Sequence, residues 1–190
     1  MRKIILWATV SLDGYIEGPG GDISWHRMTE QLHTYINEQI ATHSAFLEGR
    51  RTHQLMAEFW PTADEDPANA GATADFAGIW RGITKIVYSR TLAPADAPWA
   101  DRIERHVDVG EVAALKAEPG GDMTVGGADL AATFLELGLV DEITLFVSPV
   151  LLGAGRRLFE PTARGERLRL LETRTFDGDV VMLRHAVERE

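Results

Sequence analysis

Met123-Thr124-Val125-Gly126-Gly127-Ala128-Asp129-Leu130 reads as a strand that runs through two glycines straight into a helix. Glycines let a ligand phosphate approach the backbone, and a helix N-terminus offers unpaired N–H groups with a partial positive charge. Alone, such a turn is equally a plain structural connection. Two other places carry the same chemistry. At Gly49-Arg50-Arg51-Thr52 a strand over 44–48 passes into a helix from about 52 to Phe59, with two arginines at its positive end. Cations there oppose the helix macrodipole, and a bound anion removes the conflict. At Tyr88-Ser89-Arg90 a strand ends in a hydroxyl and a guanidinium. Three such turns fit an open α/β sheet that binds its ligand at the carboxyl ends of its strands. The chain contains no G-x-G-x-x-G and no G-x-x-x-x-G-K-[ST], so neither a Rossmann fingerprint nor a P-loop accounts for them.

The rest of the chain supplies the frame. Residues 3–10 form an apolar run that reads as a buried first strand, since it stops at Ser11-Leu12-Asp13-Gly14 without a signal-peptide cleavage pattern. Residues 27–42 have helical periodicity, with Met28, Leu32, Tyr35, Ile36 and Ile40 on one stripe. Residues 61–73 are rich in Pro, Ala and Asp and read as an exposed loop. Lys85–Tyr88, 103–107 and Asp141–Ser148 read as strands, and 110–117 as a short helix. Strands over 167–176 and 179–187 meet at the turn Asp177-Gly178-Asp179. Strands alternate with helices and the chain ends in strands. This predicts a mixed, mostly parallel sheet flanked by helices on both faces, as one domain over 1–190.

Composition narrows the function. A net charge of −10 argues against a nucleic-acid partner, which needs a basic surface, and makes a local arginine cluster informative. There is no cysteine, which excludes thiolate catalysis and Cys-ligated metals and fits a reducing cytoplasm. The six histidines show no H-E-x-x-H or other ligand spacing, so no metal is expected. No apolar run reaches the roughly 20 residues of a membrane span.

The order Ser11-Leu12-Asp13-Gly14-Tyr15-Ile16, Gly49-Arg50-Arg51-Thr52, Val87-Tyr88-Ser89-Arg90 and Val125-Gly126-Gly127 resembles the dihydrofolate reductase superfamily. The tail Val140-Asp141-Glu142-Ile143, then Pro149-Val150-Leu151-Leu152-Gly153-Ala154-Gly155 to Leu158-Phe159, resembles its riboflavin-biosynthesis reductase branch (the RibD C-terminal domain) more closely. The resemblance implies a dihydrofolate-reductase-like fold that binds NADPH in an extended pose. It puts Gly49, Arg50, Arg51 and Thr52 at the pyrophosphate and the 2′-phosphate, and Ser89 and Arg90 on the adenosine side. Gly126, Gly127, Ala128, Asp129 and Leu130 would form the pyrophosphate turn, with Thr9 and Ile16 beside the nicotinamide. The arginines favour NADPH over NADH, because a 2′-phosphate needs cationic partners. With no cysteine, the zinc deaminase that often accompanies this branch is not expected.

On the substrate side the resemblance draws attention to Trp25 and to Glu30 after it. Helical geometry places Glu30, Gln31, Thr34 and Asn37 opposite the apolar stripe, where they would line a polar cleft. That counts against dihydrofolate and for a smaller hydroxylated substrate. Phe146, near the position where dihydrofolate reductases carry a strand threonine, points the same way. Asp13, at the end of the first strand, is the second candidate catalytic carboxylate, although Asp-Gly is also a natural turn dipeptide. The expected activity is NADPH-dependent hydride transfer to a C=N or C=O bond of a small polar substrate, pyrimidine- and pterin-like heterocycles being the candidates. True dihydrofolate reductase and a catalytically silent dinucleotide-binding protein are the alternatives. A cytoplasmic homodimer is expected, joined through the late strands and Pro149–Phe159.

Overall fold

The computed structural model describes residues 1–159 and 165–188. Strand β1 (Ile4–Ser11) lies mid-sheet because it is apolar towards both faces: Ile4, Leu6 and Val10 pack on one side and Trp7 on the other. A strand buried on both faces is what a parallel sheet requires. Then follow β2 (Tyr15–Glu17), α1 (Glu30–Ile40), β3 (Ala45–Gly49), α2 (Arg50–Phe59), α3 (Ala72–Gly82), β4 (Thr84–Tyr88) and β5 (Arg102–Glu104). The second half holds α4 (Val109–Ala117), β6 (Met123–Gly126), α5 (Ala128–Glu136), β7 (Glu142–Ser148), β8 (Arg156–Arg157), β9 (Arg167–Phe176) and β10 (Val180–Glu188).

Eight strands form one sheet in the order β5-β4-β3-β6-β1-β7-β10-β9. It is parallel from β5 to β7 and antiparallel at β10 and β9. On one face Leu47, Ile86 and Val125 meet Val112 of α4 and Leu130 and Phe134 of α5. On the other, Trp7, Phe46 and Phe146 meet α1, α2 and α3 through Leu32, Tyr35, Met56, Phe76 and Trp80. Full burial of such a side chain is worth roughly 1.5–3 kcal/mol, so this two-faced core carries the fold. The expected architecture and the Asp177–Asp179 turn are both present.

One local expectation needs correction, and three elements have no expectation to match. The helix predicted over 27–42 begins at Glu30, because the Thr29 hydroxyl accepts a hydrogen bond from Leu32 N and stops it there. Met28 therefore lies outside the helix and is exposed. The loop read over 61–73 holds as far as Gly71, and α3 follows it, burying Ala72, Phe76, Ala77 and Trp80. Finally, β2 and β8 pair with each other as a separate antiparallel ribbon, too short for alternation to reveal them. Among the described residues, no helix is long and apolar enough to cross a membrane.

Candidate active site

The parallel register sets the three sequence turns side by side. Glu48 pairs with Gly126 across β3 and β6, and Gly49 pairs with Tyr88 across β3 and β4. The β3–α2, β4 and β6–α5 turns thus share the carboxyl edge of the sheet, and β1 brings Thr9 to the same edge beside β6 and β7. At the centre the Gly127 backbone lies close against the Thr52 side chain. A Cβ on Gly127, whose φ is +91°, would lie 2.6 Å from Thr52 Oγ1, and one on Gly49 would lie 3.9 Å from Leu130 Cβ. Only glycine combines that backbone conformation with that approach.

Both helices that start here lack a side-chain cap. The N-cap of α2 is Gly49 and that of α5 is Gly127, and neither can offer an oxygen. Arg50 and Arg51 are the first two residues of α2, and both are exposed. Arg51 Nη2 reaches Glu17 Oε2 at 3.0 Å, which ties α2 to β2. Asp129, on the first turn of α5, pairs with Arg156 of β8. Ser89 uses its hydroxyl within its own turn, accepting from Leu92 N at 3.1 Å, and Arg90 stands exposed beside it. Ile16 lies on β2, within the ribbon, and packs against the main core. A dinucleotide fits this arrangement: two open helix N-termini, a glycine cradle and exposed guanidinium groups in a chain that is otherwise acidic.

Beneath the turn lies a pair that was not anticipated. His53 Nδ1 is 2.9 Å from Glu48 Oε2, with both side chains almost fully buried. The contact ties the first turn of α2 to the strand before it. Its signal in the sequence, Glu and His five residues apart across a strand–helix junction, is too generic to read.

The two candidate carboxylates do not meet in this cradle. Glu30 is exposed and is tied to the start of α3. Its Oε1 accepts from Ala72 N at 2.8 Å, and a Cβ on Gly71 would fall 2.6 Å from the same oxygen. Glu30 therefore caps α3 from outside, the favourable place for an anion at a helix start. Asn37 of the same face is buried and donates to Ala72 O at 2.7 Å, while Gln31 accepts from Asp177 N at 2.8 Å. Glu30, Gln31 and Thr34 are exposed, so α3 and the β9–β10 turn touch this face without covering it.

Asp13 stands at the edge of the site as an anchor. Ser11 Oγ donates to it at 2.7 Å, and the backbone N–H groups of Leu152 and Gly153 donate at 3.1 and 2.8 Å. Chiefly the Ser11 hydroxyl, helped by these amides, lowers its pKa to about 2. A carboxyl that acidic holds no proton near neutral pH.

Comparison with known proteins gives the family and the fold. Residues 2–182 match the family model of the RibD C-terminal domain. The Bacillus subtilis (strain 168) protein YyaP is 37% identical over 187 residues, covering 96% of this chain and 93% of its own. The structure of a putative riboflavin biosynthesis protein from Shewanella sp. PV-4 superposes with a TM-score of 0.74 at 19% identity, over 100% of both chains. A Thermotoga maritima diaminohydroxyphosphoribosylaminopyrimidine deaminase/5-amino-6-(5-phosphoribosylamino)uracil reductase superposes with a TM-score of 0.63 at 15% identity, over 98% of this chain and 56% of that one. This chain belongs to the RibD C-terminal domain family, a reductase family with a dihydrofolate-reductase-like fold.

Proposed function

We propose that this protein is an NADPH-dependent reductase of the cytoplasm that adds hydride to a C=N or C=O bond of a small polar substrate, a pyrimidine-like heterocycle first among the candidates. The observation that carries this reading is the meeting of two glycine-capped helix N-termini, α2 and α5, at one sheet edge with Arg50 and Arg51 beside them. The amides of α2 and α5 would bind the pyrophosphate, Arg50, Arg51 and Arg90 would answer the 2′-phosphate, and Thr9 and Ile16 would seat the nicotinamide. The bound cofactor supplies the hydride. The chain's part is to orient the two reactants. Neither Glu30, which accepts the Ala72 amide, nor Asp13, which is ionised, is placed to give the matching proton. That proton comes from water.

A second reading has a specific observation behind it. With both candidate carboxylates engaged in structure, a dinucleotide-binding protein without catalysis keeps every feature of the cradle. Dihydrofolate reduction is the weaker alternative, because the carboxylate expected to hold a pterin is taken up by α3. Calorimetric titration with NADPH and NADH, followed by oxidation assays on a panel of pyrimidine, imine, carbonyl and pterin substrates, separates the three. Binding with turnover supports the reductase, binding without turnover on any class supports the silent protein, and absence of NADPH binding overturns both.

We also propose a homodimer. Nearly all of β9 is exposed along its length, including Leu168, Leu170 and Leu171, and Leu151 and Phe159 add apolar surface nearby in sequence. An open edge strand with this much apolar side chain invites a partner. Leu158, by contrast, folds back into the core. A monomeric mass by light scattering at micromolar concentration would contradict the dimer.

A further inference from the structure

The ribbon of β2 and β8 lies outside the main sheet, yet its charges reach both glycine turns. Its register sets Glu17 opposite Arg156 and Tyr15 opposite Arg157. Glu17 holds Arg51 on the first turn of α2, and Arg156 holds Asp129 on the first turn of α5. The neighbouring Arg157 is spent differently: its guanidinium sits 4.6 Å from the centre of the Tyr15 ring and donates to Asp13 O at 3.2 Å. Successive residues of a strand point to opposite faces, so only Arg156 is delivered to the cradle. The base of the ribbon is fixed as well, since Asp13 grips the amides of Leu152 and Gly153 just ahead of β8.

In the Arg156–Asp129 pair the carboxylate is exposed, Asp129 being 89% accessible, and Arg156 is half-buried. Ion pairs of this kind are weak and exchange readily with other anions. A phosphate group offers a guanidinium a stronger, two-pronged partner than a single carboxylate oxygen.

The geometry points to Arg156 as a further ligand of the dinucleotide pyrophosphate, with the Asp129 carboxylate holding the place that a phosphate oxygen takes. This rests on the NADPH reading above. It makes Asp129 a competitor of the cofactor, although it sits in the glycine-rich turn, and it gives β8 a binding role.

The test is calorimetric titration of NADPH and NADH into the wild type, Arg156→Ala, Arg156→Lys, Asp129→Asn and the Arg156→Ala/Asp129→Asn double variant, with thermal unfolding of each. Arg156→Ala should weaken both dinucleotides about tenfold, since they share the pyrophosphate, and Arg156→Lys less. Asp129→Asn should tighten both about two- to threefold, and that gain should vanish in the double variant. An unchanged affinity in Arg156→Ala, or a weakening in Asp129→Asn, overturns the inference. A lowered Tm with unaltered affinity would assign the pair to stability alone and overturn it too. If the wild type binds neither dinucleotide, the NADPH reading falls and takes this one with it. If the wild type binds and Arg156→Ala binds equally well, this one falls alone.

Discussion

Helices α3 and α5 both begin at a glycine, yet their N-termini are satisfied in opposite ways. At α3 the Glu30 carboxylate arrives from α1 and accepts the Ala72 amide. At α5 no side chain caps the first turn, and the same holds at α2. The remaining two helices carry their own caps, Thr29 on α1 and Asp108 on α4. A capping side chain is worth about 0.5–2 kcal/mol. Among the α-helices of the described residues the fold forgoes that stabilisation at α2 and α5, and those two share the carboxyl edge of the sheet. On the proposed function, the difference separates an anion that is built in from one that is to be bound. It also gives Glu30, whose sequence position suggested substrate chemistry, a structural contact with the first amide of α3.

The comparison can be broken most forcefully at Gly127. Gly127→Val would place a branched side chain at φ +91° with its Cβ 2.6 Å from Thr52 Oγ1. Strain at a positive φ costs about 1–2 kcal/mol, and pushing Thr52 away parts the α2 and α5 turns. Denaturant unfolding should show a loss of about 2 kcal/mol or more, and calorimetry should find NADPH affinity lowered by more than about tenfold.

Arg51→Ala sharpens the same point at α2. A guanidinium–phosphate contact contributes about 1.5–3 kcal/mol, and the low end applies because the Arg51 side chain is 56% exposed. NADPH binding should weaken by that amount while NADH binding changes little. Equal losses for both cofactors would remove the 2′-phosphate assignment.

Glu30→Ala probes the built-in anion. Stability should fall by about 1 kcal/mol, the usual cost of a lost cap, while NADPH affinity and turnover per folded molecule stay as in the wild type. A loss of turnover by orders of magnitude in a folded variant would return Glu30 to the chemistry.

The smallest effect expected is at Asp13. Its pKa lies below the ordinary 3.8, at about 2. A lowered folded-state pKa contributes stability above the ordinary value, lost as pH falls through the folded value. Urea unfolding of the wild type should therefore weaken as pH drops from about 4 towards 2, and Asp13→Asn should flatten that part of the profile. Identical profiles would mean that the Ser11, Leu152 and Gly153 contacts do not hold the carboxylate in solution.

How much of this was legible depended on whether the signal was local. Strand–glycine–helix turns announce themselves within a few residues, so Gly49, Gly126 and Gly127 could be placed on one edge once the parallel order was inferred. Burial of β1 was readable from its apolar run, and that of α1 from its periodicity except at Met28. The capping of α3 by Glu30 was not, because it joins residues 42 apart in the chain and involves a helix hidden behind a Pro- and Asp-rich stretch. The pairing of β2 with β8 was equally hidden, as three residues and two residues cannot establish a period. Long-range polar contacts hold Glu30, Asp13 and Arg156 where they stand, and no spacing rule encodes them.

The central claim is that α2 and α5 await an anion while α3 already has one. It is tested most directly by following backbone amide resonances during an NADPH titration. The account predicts that the amides of Arg50, Arg51, Thr52, Gly127, Ala128 and Asp129 shift in a saturable manner, while Ala72, bonded to Glu30, stays still. Shifts centred on Ala72 and α3 with the α2 and α5 turns unmoved would contradict it.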